Sequence, residues 1–480
     1  MNRQGTELPL QYTSLDRAIL FGLLATAVFT ALAHGTVEPW SLAVFESLSV
    51  GLIALWGLKM IAQKRVTISI PPASLPLAVF VLLGILQSVA FTNRLGERTG
   101  LSMDIEATRA TVLALFFLVT LFLIAANHLD DSERRRTLMT FLIIYGVAMA
   151  LFALVQHFTW NGRLYWFRPI TSEATSPFGP FVNRNHFAGY MELLAPLPIA
   201  MIITRAAPRD SQLLYVFAAT MMSLSAIVSL SRGGMISLAA EIAFIAIIAA
   251  DRGNRGESRS DWRSRLRISS SLRTAALILV VIASIFAGIF WAGPERIVDR
   301  IAGEPTSGRA QHAETFFSSR GWIWRETVAM IGANPFLGVG LGAYETAYPV
   351  YSADDGSIVL GKALSVDRAH NDYLQVLSDC GVVGGALAAW FIILIFRAVA
   401  RGKRSHDPLR RALAIGGGAG IFGLLVHSLV DFNLQLPSNA LLFLLLSAAV
   451  CQAGAKKSAI ARADTREDIG RMSFALNESR

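Results

Sequence analysis

The chain alternates long apolar segments with short polar ones. The apolar segments run for roughly 17 to 23 residues, which at 1.5 Å per helical residue matches a bilayer core about 30 Å thick. The pattern predicts an all-α polytopic membrane protein with about twelve transmembrane helices. The predicted spans are residues 15–33, 39–58, 75–91, 107–127, 137–157, 186–204, 212–230, 235–250, 271–291, 378–400, 409–430 and 437–452.

Basic residues are distributed unevenly between the loops that connect these spans. Loops on one side carry Lys59, Arg134 to Arg136, Arg205 and the Arg-rich stretches 252–273 and 397–411. The opposite side has no Lys or Arg between the first and second spans and none between the eleventh and twelfth. Because cytoplasmic loops retain basic residues, we expect both chain ends to be cytoplasmic. The protein is thus expected to cross a membrane many times.

Composition supports this prediction and removes several alternatives. Of the 480 residues, 53% are hydrophobic and 16% are charged, which excludes an ordinary soluble enzyme. The net charge of +9 is explained by topology and requires no nucleic-acid partner, although residues 251–273 are suited to contact anionic membrane lipids. Two cysteines, Cys380 and Cys451, provide neither a disulfide framework nor a zinc site, and no cofactor is indicated.

The domain organisation follows from the spans. We expect a cytoplasmic N-terminus over residues 1–14, one transmembrane domain over 15–452, and a cytoplasmic tail over 453–480. Residues 31–33 resemble a signal-peptidase site, but a polytopic protein rarely needs a removable signal, so the first span is expected to be retained. The longest connection, residues 293–369, follows the ninth span and lies on the outer side; its position is unlike that of the central loop of a transporter built from two halves.

This outer loop has two recognisable parts. Residues 319–332 are predicted to form a helix that is capped by Ser318 or Ser319, ended by Asn334 and Pro335, and placed at the membrane interface. Residues 336–342 are rich in glycine. They superficially match a dinucleotide loop, but no strand precedes them, and a sharp turn is the better interpretation.

Two arginines are candidates for binding an anion at the outer surface. Arg232 follows the seventh span in the sequence Ser-Arg-Gly-Gly, where a bound anion would offset its charge. The structural alternative is a snorkelling arginine beside a turn made by Gly233 and Gly234. Arg320 and Trp324 share one helix face, so the guanidinium could stack on the indole or reach a phosphate, while Trp324 itself fits a packing role as well as substrate contact.

His370 is the candidate base. It lies where the tenth span begins, and the positive end of a helix dipole favours the neutral imidazole that a base requires. Asn371 and Asp372 would either cap this helix or orient substrate. Before the sixth span, Arg184, Asn185 and His186 provide one cation and hydrogen-bonding groups, which suits substrate binding or an interfacial anchor equally.

Other polar residues indicate no specific chemistry. His427 and Asp431 are four residues apart and are expected to pair with each other as a structural feature. Glu192 and Glu241 lie within spans and suggest an ion pathway, but they do not form a ladder. The acidic pair at 354–355 could hold a metal, although a solvated loop is the preferred interpretation and no metal is predicted.

Taken in order, these motifs resemble those of the O-antigen ligase and polymerase family of bacterial envelope proteins. The resemblance rests on residues 231–234, Arg320 with its Trp-rich sequel, residues 334–342 and residues 370–375. It covers about residues 181–385, including the outer loop, and the layout of twelve spans also resembles the GT-C type of glycosyltransferase architecture. The resemblance implies a role in lipopolysaccharide or exopolysaccharide biosynthesis and a multi-pass location in the bacterial inner membrane.

The resemblance implies specific roles for the candidate residues. Members of the family take a glycan from polyprenyl pyrophosphate, such as undecaprenyl pyrophosphate, and transfer it to an acceptor hydroxyl in the periplasm. Arg232 and Arg320 match the arginines assigned to pyrophosphate, and His370 matches the histidine that activates the acceptor. The implied reaction is metal-independent and inverts the anomeric centre. The acceptor, lipid A-core for a ligase or a growing polysaccharide for a polymerase, is left open, and a polysaccharide or lipid-linked oligosaccharide transporter is the alternative from another class.

Overall fold

The computed structural model describes most of the membrane domain. It covers residues 10–64, 66, 68–92, 98–170, 176–253, 316–352, 358–359, 362–363 and 366–455. The predicted ninth span, the first part of the outer loop and the acidic pair at 354–355 lie outside these residues.

The described residues are mainly helical. The helices are α1 (Leu10–Leu32), α2 (Pro39–Gln63), α3 (Ser74–Gln87), α4 (Ile105–His128), α5 (Ser132–Phe158), α6 (Arg184–Leu194), α7 (Pro196–Ile203), α8 (Gln212–Val228), α9 (Arg232–Gly253), α10 (Phe316–Ala333), α11 (Tyr344–Tyr351), α12 (Asp372–Gly402), α13 (Pro408–Ala412), α14 (Gly418–His427) and α15 (Pro437–Gly454). Three short antiparallel pairs connect some of them: β1 (Ala90–Thr92) with β2 (Arg98–Gly100), β3 (Arg163–Leu164) with β4 (Arg168–Pro169), and β5 (Ile358–Val359) with β6 (Lys362–Ala363).

The predicted all-α membrane architecture is confirmed. Within the described residues, 9 helical segments are long and apolar enough to cross a membrane, and α6 with α7, like α13 with α14, forms one such segment. The third predicted span is shorter than expected, because α3 has 14 residues and ends at Gln87. The eighth predicted span lies within α9, which has 22 residues.

The core lies around the last helix. In α15, 94% of the residues in the apolar window are buried, and this helix packs against α4, α12 and α1. The paired segment α6–α7 is the next most buried, at 89%, and packs on α8, α14 and α9. A helix surrounded by other helices has no water-facing side, which explains why apolar residues are spread around the whole circumference of α15.

The basic loops meet at one end of the bundle, as their charge pattern predicts. Asp16 accepts Lys59 Nζ at 2.5 Å and Arg134 Nη1 at 3.1 Å, which ties α1 to the ends of α2 and α5. At the same end, Arg411 Nη2 donates to the Thr204 carbonyl oxygen at 3.0 Å. The first residues of α6, α9 and α12 are therefore gathered at the opposite end.

The glycine-rich segment 336–342 forms a sharp turn, as predicted. This turn packs closely against α12 at the point where that helix is interrupted. Gly381 in this helix has φ of +61° and lies so close to Phe336 that an added Cβ would be 2.2 Å from the Phe336 carbonyl oxygen. Gly338 is equally close to the Asp379 backbone, and Gln87 from α3 donates to the Leu337 carbonyl oxygen at 2.6 Å. Only glycine tolerates such an approach at positive φ. The turn thus fixes the first part of α12, which begins six residues earlier than the predicted span.

Two helices of the outer loop pack together. Helix α10 begins at Phe316, three residues before the predicted start, so neither Ser318 nor Ser319 lies at its N-terminus. It ends before Asn334 and Pro335, as predicted. The short helix α11, which the sequence did not predict, packs on it through Tyr344, whose hydroxyl is 2.6 Å from the Thr327 hydroxyl.

Candidate active site

A buried carboxylate, Asp431, connects several segments at the end of the bundle opposite to the basic loops. Its Oδ1 lies 3.5 Å from His370 Nδ1 and accepts the Phe432 backbone N–H at 2.9 Å. Its Oδ2 lies 3.6 Å from Arg320 Nη2 and also accepts a hydrogen bond from Asn185 Nδ2. One side chain therefore connects three segments that are far apart in sequence.

The prediction that His427 pairs with Asp431 is wrong. His427 Nδ1 lies 2.8 Å from Glu192 Oε1, so the imidazole is directed into the bundle towards α6. Asp431 lies beyond the last turn of α14, and its backbone N–H donates to the His427 carbonyl oxygen. The chain leaves the helix here, so the spacing of four residues no longer places the two side chains on one face.

Electrostatics keep Asp431 ionised. Burial alone would raise the pKa of this carboxyl, but the hydrogen bond to His370 and the nearby charge of Arg320 lower the pKa overall to well below its ordinary value. A carboxylate with 1% of its side chain exposed is stable as an anion only when such donors surround it. Asp431 is thus a fixed negative charge between the candidate base and a candidate cation.

His370 is held in an unusual conformation. Its φ is +49°, which is rare for a residue with a side chain, and its ring packs edge-on against Phe432 with centroids 4.8 Å apart. The preceding residue is held by Trp324, whose indole Nε1 donates to the Ala369 carbonyl oxygen at 3.0 Å. With Nδ1 directed at Asp431 and 30% of the side chain exposed, Nε2 is the nitrogen left for a substrate proton.

Asn371 and Asp372 fix the start of α12. The Asn371 side chain caps the helix by accepting from the Tyr373 and Leu374 backbone N–H groups, as one of the two predicted alternatives states. Asp372 Oδ2 accepts from the Ser428 hydroxyl at 2.8 Å. Both side chains are buried, so their main role in the described structure is to join His370 to the segment that carries Asp431.

Arg320 and the neighbour of Arg232, Gly233, both approach one residue, Val430. Arg320 Nη1 donates a hydrogen bond to the Val430 carbonyl oxygen. Arg232 begins α9, and an added Cβ on its neighbour Gly233 would lie 3.1 Å from the Val430 side chain. The two helix ends that carry these cations therefore converge on one short segment after α14.

The glycines after Arg232 serve packing and do not form the turn. The residue with positive φ is Leu230, at +59°, whereas Gly233 and Gly234 lie in the first turn of α9. An added Cβ on Gly233 would be 2.5 Å from the His427 ring. The pair of His427 with Glu192 is thus the surface on which the Arg232 end of α9 rests.

The segment before α6 is brought to the same site. Asn183 caps α6, and Arg184 is its first residue. Asn185 binds Asp431, and the rings of His186 and Phe432 pack in a T-shaped arrangement with centroids 4.8 Å apart. His186 is almost fully buried, which suits a packing role better than direct contact with a substrate.

A large apolar cavity of about 680 Å³ begins beside the site. Its polar end includes Asp372, Ser428 and Gln435, and its walls are apolar residues of α3, α4, α12, α14 and α15 such as Phe80 and Phe391. The cavity thus places an apolar volume next to the charged groups around Asp431.

Residues 217–389 match the O-antigen ligase family. The matched region is a little over a third of the chain. The O-antigen ligase match includes Arg232, Arg320 and His370, and it indicates a glycosyl-transferring enzyme of the membrane. Asn185 and Asp431 lie outside the matched region. No curated protein matches the chain significantly.

Sequence reasoning missed the central role of Asp431. A charged residue next to an apolar span indicates a buried partner, but the nearest titratable residue in sequence, His427, lies at helical spacing and was therefore the expected partner. The true partners, Arg320 and His370, lie 111 and 61 positions away by their residue numbers, so only the fold identifies them.

Proposed function

We propose that this protein transfers a glycan from a polyprenyl pyrophosphate to an acceptor hydroxyl at the periplasmic face of the inner membrane, in surface polysaccharide biosynthesis. The observation that carries the proposal is the shared carboxylate: Asp431 contacts a histidine and an arginine, and an apolar cavity begins on the neighbouring residues Asp372 and Ser428. Transfer from a lipid-linked, anionic glycan donor requires a base for the acceptor hydroxyl, a cation for the leaving group and an apolar volume for the lipid.

His370 acts as the general base. Its Nε2 takes the proton of the acceptor hydroxyl, while Asp431 orients the ring through Nδ1 and stabilises the imidazolium that forms. The acceptor oxygen forms a bond to the anomeric carbon as the bond from that carbon to the pyrophosphate oxygen breaks. Attack from the face opposite to the leaving group inverts the anomeric centre.

Arg320 and Arg232 stabilise the departing pyrophosphate. Charge develops on that group in the transition state, and fixed guanidinium groups stabilise it most strongly at that point. Arg320 is suited to this role because its contacts with Val430 and Asp431 fix the guanidinium, and a guanidinium has five N–H donors to share between protein and phosphate.

The apolar cavity holds part of the prenyl chain of the donor. Its polar end at Asp372 and Ser428 lies on the segments that carry His370 and Asp431, so a lipid in the cavity would present its head group to these residues. About 25 cal/mol is gained for each Å² of apolar surface that leaves water, which makes such a cavity a strong anchor for an isoprenoid.

The experiment is glycan transfer in vesicles that contain purified protein and a polyprenyl-pyrophosphate-linked glycan. We expect His370→Ala to abolish the new glycosidic bond, while His406→Ala, an exposed histidine at the opposite end of the bundle, transfers normally. Near-normal transfer by His370→Ala would refute the proposal. Movement of the intact lipid-linked glycan across the membrane without a new bond would instead indicate a transporter.

Two acceptors complete the experiment. With lipid A-core present, a ligase attaches the glycan to it, whereas a polymerase extends one lipid-linked glycan with another. Both reactions use the same base and the same leaving group, so the choice of acceptor decides between them without changing the assignment of His370.

A further inference from the structure

A second cavity lies at the end of the bundle opposite to His370. It has a volume of about 430 Å³ and is bounded by α12, α15 and the segment that leads into α3. Its apolar wall includes Pro71, Pro72 and Leu394, and its charged residues are Arg397 and Arg401. This cavity shares no lining residue with the apolar cavity beside the candidate active site.

The walls of this cavity are held by hydrogen bonds. Asn127 accepts the Ser69 backbone N–H at 2.6 Å and donates to the Ser69 carbonyl oxygen at 3.0 Å, so the segment before α3 is fixed to α4. On the other side, Arg401 Nε donates to the Gly454 carbonyl oxygen at 3.2 Å, which fixes α12 to the end of α15. The cavity is therefore preformed and is not a gap between mobile segments.

Its charge is positive and is not neutralised by its own lining. Arg397 and Arg401 stand four residues apart on α12, share one helix face and are both exposed. No Asp or Glu is among the described residues that line the cavity. The hydrogen bond from Arg401 uses Nε alone, which leaves its two terminal nitrogens to bind an anion.

We propose that this cavity binds the head group of an anionic phospholipid. Two guanidinium groups one helical turn apart match the oxygens of a phosphate, and Arg binds phosphate through paired N–H donors. The apolar wall formed by Leu394 and the two prolines suits the first carbons of the acyl chains. Basic pockets between transmembrane helices bind anionic head groups in this way.

The test is lipid retention by the full chain, measured by native mass spectrometry after extraction into a mild detergent. The probes are phosphatidylglycerol, which is anionic, and phosphatidylcholine, which carries a phosphate but no net charge. We expect wild-type protein to retain phosphatidylglycerol preferentially. The double variant Arg397→Gln, Arg401→Gln should bind it about 25-fold more weakly, from about fivefold for each basic residue near a lipid surface.

Arg404→Gln is the matched control, because Arg404 is exposed in the same region and does not line the cavity. Each single variant at 397 or 401 is expected to lose about fivefold, which keeps the proposal testable if the double variant does not fold. Equal retention by wild type and the cavity variants would overturn the proposal.

Complete displacement of the lipid by millimolar inorganic phosphate would also overturn it, since the site would then be one for free phosphate. Glycan transfer is not part of the readout, so the outcome is independent of the proposed function.

Discussion

Replacement of Asp431 by Asn tests the candidate site most directly. The amide has the shape of the carboxyl group but removes its charge and turns one acceptor into a donor. In the wild type, both oxygens accept only donors: Oδ1 faces His370 and the Phe432 N–H, and Oδ2 faces Asn185 and Arg320. Whichever way the amide is oriented, its NH₂ group must face donors, and the buried guanidinium loses its anion.

The size of the effect follows from these contacts. A hydrogen bond to a charged group contributes about 1.5–3 kcal/mol, and breaking a buried ion pair costs about 3–5 kcal/mol. Arg320 has 12% of its side chain exposed and keeps its bond to Val430, so we expect Asp431→Asn to lower the free energy of unfolding by about 2–4 kcal/mol. Glycan transfer should fall by about 100-fold or more, because a misoriented general base loses most of its contribution.

The assays are thermal unfolding in detergent and glycan transfer in vesicles. Asp367→Asn is the matched control, since Asp367 is an exposed acid three residues before His370. Transfer by Asp431→Asn within twofold of wild type would refute the argument that this carboxylate orients the base. A loss of transfer with unchanged thermal stability would refute the energetic part alone.

The same carboxyl group should make the free energy of unfolding depend on pH in the acid range. Because its pKa in the folded protein is lower than the ordinary value of about 3.9, its contribution to stability is complete at neutral pH. This contribution decreases as the pH falls below about 4 towards the folded-state value. The difference in unfolding free energy between wild type and Asp431→Asn should therefore be constant near neutral pH and shrink in acid; a difference that grows in acid would contradict the assignment.

Three further predictions concern other parts of the site. Arg320→Lys should reduce transfer about 100-fold, because one ammonium group cannot bind Val430 and a phosphate with the geometry of a guanidinium; activity near that of wild type would exclude a bidentate role. Gly233→Ala should lower the free energy of unfolding by about 1–3 kcal/mol, since its Cβ would be 2.5 Å from the His427 ring, whereas Gly332→Ala, with nothing within 4 Å, should be neutral or slightly stabilising in thermal melts. A chelator such as EDTA should leave transfer unchanged, and inhibition that added metal reverses would instead favour a metal at residues 354–355.

Much of the architecture was predictable from the sequence because a bilayer imposes a strict rule. A spanning helix must be apolar over about 20 residues, so a short stretch of sequence is enough to predict it. Basic residues then identify the loops that lie on one side of the membrane. The same local logic predicted the end of α10 at Asn334 and the turn at 336–342. It was less accurate for α3, whose apolar run continues beyond Gln87 into a short strand, because an apolar run alone does not set where a helix ends.

The candidate residues were also predictable, but their partners were not. The sequence identifies these residues because each is a polar group beside an apolar segment or within a motif suited to phosphate binding or proton transfer. They are Arg232, Arg320 and His370. Their arrangement depends on contacts between residues that are distant along the chain.

The sequence by itself determined the membrane class, most of the spans and the residues able to carry the chemistry, because these depend on local hydrophobicity and side-chain type. Only the tertiary structure decided that Asp431 joins His370 to Arg320 and that His427 pairs with Glu192. An ion pair inside a protein is chosen by which helix ends the packing brings together, and spacing along one helix cannot reveal that choice once the chain has left the helix.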